Sequence, residues 1–105
     1  MKKGVPGRAK GRPERRVFTI DLAGVRSAAK LHDALAAALP LPAHYGRNLD
    51  ALHDVLGDLL AAQPLTLEIV GTETLLRSLG RYGEAFLHML DDTAKESGRL
   101  TLAFR

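Results

Sequence analysis

Cysteine and tryptophan are absent from this chain of 105 residues, and aromatic residues make up only 5% of it. Without thiols there is no disulfide framework, no thiolate metal site and no cysteine nucleophile, and a reducing cytoplasm is the expected location. No apolar run approaches the roughly 20 residues of a membrane-spanning helix, and the basic N-terminus is not followed by the apolar core of a secretory signal. The length and the lack of internal repeats fit one small domain, expected to be monomeric when free.

Several enzyme chemistries also lack their residues. His32, His44, His53 and His88 show no HExxH or other metal-site spacing, so neither a metal nor a cofactor is expected. The glycines between Gly4 and Gly11 do not form a GxxxxGK[ST] phosphate loop, and no strand precedes them. Ser27, Ser78 and Ser97 lie in helical or helix-edge contexts without a nucleophile elbow. Asp50 and Asp54 could act as an acid–base pair only in a cleft that raised one pKa, and no feature of the sequence indicates one. The chain reads as a binding protein, not an enzyme.

The formal charge of +3 conceals two opposite segments. Residues 1–16 hold Lys2, Lys3, Arg8, Lys10, Arg12, Arg15 and Arg16 against Glu14, a net +6; residues 17–105 carry eight basic and eleven acidic side chains, a net −3. The first segment is rich in glycine and proline and poor in large apolar residues, so it cannot offset its ordering entropy by burial, and a disordered tail is expected. Such a tail could make weak nucleic-acid contacts, or it could be a solvated extension.

Residues 17–105 alternate between strand and helix signals. Residues 17–22 are β-rich, with Ala23-Gly24 ending the strand. Ser27 caps a helix through Leu39 with Leu31, Leu35 and Leu39 one turn apart, and Pro40 ends it. Asn48 caps a second helix running to about residue 61 or 62. Residues 65–70 form a second strand, residues 72–80 a short helix, and Tyr82 or Gly83 opens a longer helix with Phe86, Met89, Leu90 and Thr93 inward and Gly98 as its stop. Residues 100–104 form a third strand. Strands separated by helices imply an α/β fold with a three-stranded parallel sheet packed against about four helices.

The segment around Asn48 carries the chemistry. Tyr45-Gly46 supplies a bend before the cap, Leu49, Leu52, Val55 and Leu56 face inward, and Asp50 and Asp54 share one polar flank a turn apart. Two neighbouring anions repel until a cation meets them, so the pair anticipates a basic partner. The run Tyr45-Gly46-Arg47-Asn48-Leu49-Asp50-Ala51-Leu52-His53-Asp54, with Leu41-Pro42 ahead of it, resembles the signature segment of the barstar family, intracellular inhibitors of barnase-type ribonucleases. The order of elements from Val17 to Phe104 agrees with that family.

The resemblance implies a mechanism of phosphate mimicry, in which Asp54 takes the phosphate position in a basic ribonuclease cleft and Asp50 binds the same cleft. It also implies that His44, Tyr45, Gly46 and Arg47 fit the rim, that Asn48 holds this loop to the helix, and that Leu49, Ala51 and His53 lie in the same contact segment. A further acidic contact from the last helix falls at Asp92, or at Thr93 if Gly98 sets the alignment. His44 stands where the family has a tyrosine, His53 where it has a tryptophan and Arg47 where it has a glutamate, so part of the aromatic anchor and some negative charge are missing. The implied partner is a basic, secreted-type ribonuclease or ribonuclease toxin, bound 1:1. Two other readings remain: a nucleic-acid-binding or regulatory protein that works through its tail, and a barstar-fold module that grips a different basic protein.

Overall fold

The computed structural model describes residues 16–105. The chain runs β1 (Arg16–Asp21), α1 (Ala28–Ala38), α2 (Leu49–Ala62), β2 (Leu65–Val70), α3 (Thr72–Leu79), α4 (Arg81–Ser97) and β3 (Leu100–Phe104). The expected tail lies outside the described residues except for Arg16, which is the first residue of β1 and not part of a tail.

All strand pairs are parallel, in the order β1-β2-β3. The central strand alternates: Leu65, Leu67 and Ile69 are buried, whereas Thr66, Glu68 and Val70 are not. Parallel sheets usually bury both faces, and this alternation marks one that buries a single face. Register aligns Ile20 with Ile69 and Leu65 with Leu100, so the apolar positions of the three strands fall on one side. On the other side Glu68 accepts from the Thr19 hydroxyl and from the Arg105 guanidinium, each at 2.8 Å.

The helices supply the rest of the core. Leu31 and Leu35 of α1, Leu52, Leu56 and Leu60 of α2, Leu75 of α3, and Phe86 and Leu90 of α4 all cluster with the strand residues. The sets from α1, α2 and α4 each recur at the spacing of one helical face. Caps fix the helix ends: Ser27 Oγ accepts from the Lys30 N–H at 3.1 Å, and Gly98 closes α4 with φ of 66°. The α4 helix begins at Arg81, one residue before Tyr82 and two before Gly83, because Gly80 both ends α3 and supplies the carbonyl that accepts from the Glu84 N–H at 3.0 Å.

Gly71 joins β2 to α3 with φ of 84°. A Cβ there would lie 2.7 Å from the Ala23 nitrogen and 2.9 Å from its Cα, so the backbone of the β1–α1 turn approaches closely. Left-handed geometry costs an L-residue about 1–2 kcal/mol before any clash. Gly71→Ala should therefore lower unfolding stability by more than about 2 kcal/mol in urea titrations. A loss below about 0.5 kcal/mol, the range of an ordinary surface change, would contradict this close approach.

Candidate functional site

The acidic helix starts where the sequence places it. Asn48 Oδ1 accepts from the Ala51 N–H at 2.8 Å, and its amide donates back to the Gly46 carbonyl at 3.3 Å. One side chain thus satisfies a free donor of the first helical turn and ties the preceding loop to it. The turn is completed by the Tyr45 N–H donating to the Pro42 carbonyl at 3.0 Å.

The left-handed residue of this segment is not its glycine. Among the described residues, the non-glycine residue with positive φ is Arg47, at 57°, while Gly46 has no such angle. A Cβ at Gly46 would crowd the Ala51 Cβ at 3.1 Å. The Arg47 guanidinium turns back on α1, donating to Asp33 Oδ1 at 2.8 Å and to the Ala29 carbonyl at 3.0 Å. Its charge is met within the chain. It does not add an uncompensated cation to the rim.

Asp54 and Asp58 line a concavity of about 250 Å³ together with Pro42, His44, Tyr45, Gly46, Ala51 and Val55. Asp50, Asp54 and Asp58 follow at four-residue spacing, all exposed, on a helix that contains no lysine or arginine. Asp50 lies in the first turn, where the partial positive charge of the helix N-terminus favours it. The Asp54 side chain is 86% exposed and lies 4.0 Å from the His53 ring. Asp58 was not among the expected residues, although its spacing from Asp54 was visible in the sequence.

The other expected residues separate from this concavity. His53 and Asp92 line a neighbouring open groove of about 600 Å³ between α2 and α4, with Glu84, His88 and Glu96. His53 approaches Glu96 at 3.7 Å, and His88 approaches Asp92 at 3.3 Å. Thr93 is buried, and its hydroxyl donates to the Met89 carbonyl at 2.8 Å. Asp92, not Thr93, therefore offers an exposed group on this face. Leu49 is half-buried against the core, so much of its role is packing.

One participant carried no functional signal in the sequence. His32 of α1 is 1% exposed, with Nδ1 2.6 Å from the Tyr45 hydroxyl and Nε2 2.8 Å from the Tyr82 hydroxyl. Its position beside Leu31 and Leu35 on the buried face was the available clue. Burial pushes its pKa below 6.5; the Arg47 guanidinium adds to that depression and the Asp33 carboxylate opposes it. Burial, with the neighbouring Tyr82, also raises the Tyr45 pKa to about 12, against the pull of Arg47.

Among the described residues, no group of three or more His, Cys, Asp or Glu side chains could hold a metal ion. No helix there is long and apolar enough to cross a membrane. Two predictions follow from this geometry. Asn48→Ala should cost about 1 kcal/mol of unfolding stability, whereas Asn48→Asp keeps the cap but loses the donor to Gly46 and should cost less; equal losses in urea titrations would refute the cap. For His32, the unfolded chain binds more protons than the folded one, so its contribution is complete above about pH 6.5 and is lost as pH falls towards the depressed folded value. His32→Gln should flatten that part of the stability–pH curve, and parallel curves for the two proteins would exclude His32 as its source.

Comparison with known proteins agrees with the architecture. The family described as Barstar (barnase inhibitor) matches residues 15–105. A Bacillus subtilis (strain 168) protein named "Putative ribonuclease inhibitor YrdF" is 39% identical over 66 residues, covering 63% of this chain and 71% of the relative. With the capped acidic helix, the three parallel strands and a match across the whole described domain, the chain belongs to the barstar family of non-catalytic inhibitor proteins.

Proposed function

We propose that this protein inhibits a barnase-type ribonuclease by seating the start of α2 and its preceding loop in the enzyme's basic active-site cleft, in a 1:1 complex. The observation that carries this reading is the exposed carboxylate of Asp54, set beside Asp58 in the concavity formed by the loop. Several of the chain's own cations are engaged elsewhere: Arg47 with Asp33, Arg77 with Glu73, Lys95 with Asp91 and Arg105 with Glu68. The α2 carboxylates remain for a partner. A ribonuclease binds RNA phosphate with cationic side chains, and a rigid carboxylate can take the same charge-assisted hydrogen bonds without offering a bond to cut.

In this reading Asp54 occupies the phosphate position, Asp50 and Asp58 flank it, and His44, Tyr45 and Gly46 meet the rim. His53 and Asp92 form a second contact across the α2–α4 groove. The partner is a basic extracellular-type ribonuclease or a ribonuclease toxin, and the inhibitor protects the cytoplasm of the cell that makes it. Histidines at 44 and 53 give smaller and more polar contacts than a tyrosine and a tryptophan would, so the cognate enzyme need not be barnase itself.

Titration into a panel of barnase-type microbial ribonucleases, following RNA cleavage and binding heat, tests the proposal. Cleavage should stop at one inhibitor per enzyme for a cognate member. Asp54→Ala should weaken that complex by several kcal/mol, a hot-spot scale for which barnase and barstar are themselves the reference pair, with little change in thermal unfolding. Equal affinity of wild type and variant would remove phosphate mimicry by Asp54. Removing residues 1–15, with their concentrated positive charge, should leave inhibition intact; if it abolished inhibition and a salt-sensitive RNA affinity together, the reading based on the tail would replace this one.

A further inference from the structure

The proposed contact surface is split between two parts of the chain, the loop with α2 and the exposed face of α4. His32 belongs to neither, yet it touches both. Its Nδ1 meets the hydroxyl of Tyr45 in the loop at 2.6 Å, and its Nε2 meets the hydroxyl of Tyr82, the second residue of α4, at 2.8 Å. The ring stacks obliquely on Tyr45, with centroids 5.6 Å apart, and edge-on to Tyr82 at 6.2 Å.

We propose that the Tyr45–His32–Tyr82 chain is a coupling device, in which a buried imidazole locks the recognition loop to the start of α4 and makes His32 and Tyr82 positioning residues for the partner surface. Its value for binding rests on the inhibitor reading above. The coupling itself does not.

The chemistry favours a lock over simple filling. A leucine at this site would fill space without the cost of burying two polar nitrogens, a cost repaid only when both are bonded. In the neutral imidazole one nitrogen donates and the other accepts, so one tyrosine must receive a hydrogen and the other must give one. The two hydroxyls are thereby placed in opposite roles, and losing either leaves a buried ring nitrogen without its partner. The charged groups around the ring, Asp33 on α1 and Arg47 in the loop, are already bonded to each other at 2.8 Å. The tyrosines are the groups that satisfy the ring.

The test uses the free protein and amide hydrogen exchange. The Tyr45 N–H, bonded to Pro42, reports the loop; the Glu84 N–H, bonded to Gly80, reports the start of α4. Tyr82→Phe removes one hydroxyl from a half-buried residue, a change the fold should tolerate. It should speed exchange at Tyr45 roughly three- to tenfold, the scale of one hydrogen bond, beyond any change at core amides such as Leu67. If the imidazole links the two elements, Tyr45→Phe should likewise speed exchange at Glu84, again beyond any change at core amides. A purely structural role would move each variant's own neighbourhood alone, or all amides together.

Unchanged Tyr45 exchange in Tyr82→Phe, or unchanged Glu84 exchange in Tyr45→Phe, would overturn the coupling. In a His32→Gln background the effect of either Phe substitution should shrink, and full persistence there would likewise exclude the imidazole as the link. Failure of wild-type protein to bind any ribonuclease would sink the inhibitor reading without touching the exchange result. The two failures are therefore separable.

Discussion

Leu65, Leu67 and Ile69 point to one face of β2, and burying each is worth about 2 kcal/mol, which obliges the helices to cover that face. The opposite face carries Thr19, Glu68 and Arg105 in a polar network, with Val17 exposed beside it. With the helices gathered on the apolar face, α2 packs beside α4 and α3 beside α4. The inward positions of α2 are then fixed as Leu52, Leu56 and Leu60, and its Asp50, Asp54 and Asp58 flank is directed outward. The acidic surface is a consequence of how the core is filled.

That surface runs against the helix's own stability. Like charges four residues apart destabilise a helix by roughly 0.2–0.5 kcal/mol per pair. The Asn48 cap, worth about 1 kcal/mol, and the place of Asp50 in the first turn offset part of this. The rest is carried by tertiary packing, which is where most helical stability resides in proteins of this size. A helix anchored in this way can keep exposed, mutually repelling anions for a cationic partner. Arg47 shows the complementary solution: a cation in the same segment is laid back on α1 and paired with Asp33 at the surface, so its charge is met within the chain.

The local signals were read from residues whose effect is local. Ser27 and Asn48 cap the helices they were expected to cap, and Gly98 ends α4, because a cap requires only a side chain and the backbone two or three residues away. Strand and helix periodicity likewise follow from nearest neighbours. The left-handed φ of Arg47 was not legible because glycine is the usual left-handed residue, and here a guanidinium bond to α1 accompanies that geometry in an arginine instead. Gly46 lies in the expected Tyr45-Gly46 bend without a left-handed φ, and a Cβ there would crowd Ala51 at 3.1 Å. The start of α4 at Arg81, ahead of Tyr82 or Gly83, was not legible because Gly80 serves two helices at once.

The sequence alone determined the elements, their capping and the acidic character of α2, since each follows from side chains within a few residues of one another. It also carried the family resemblance through one contiguous segment. Only the tertiary structure decided strand order, the grouping of Asp54 and Asp58 with His44 in one concavity, and the placement of His53 and Asp92 in another. It alone revealed His32 between Tyr45 and Tyr82, partners 13 and 50 residues away. Such contacts depend on where the chain returns in space, and that is fixed by burying the shared core, not by any local run of residues.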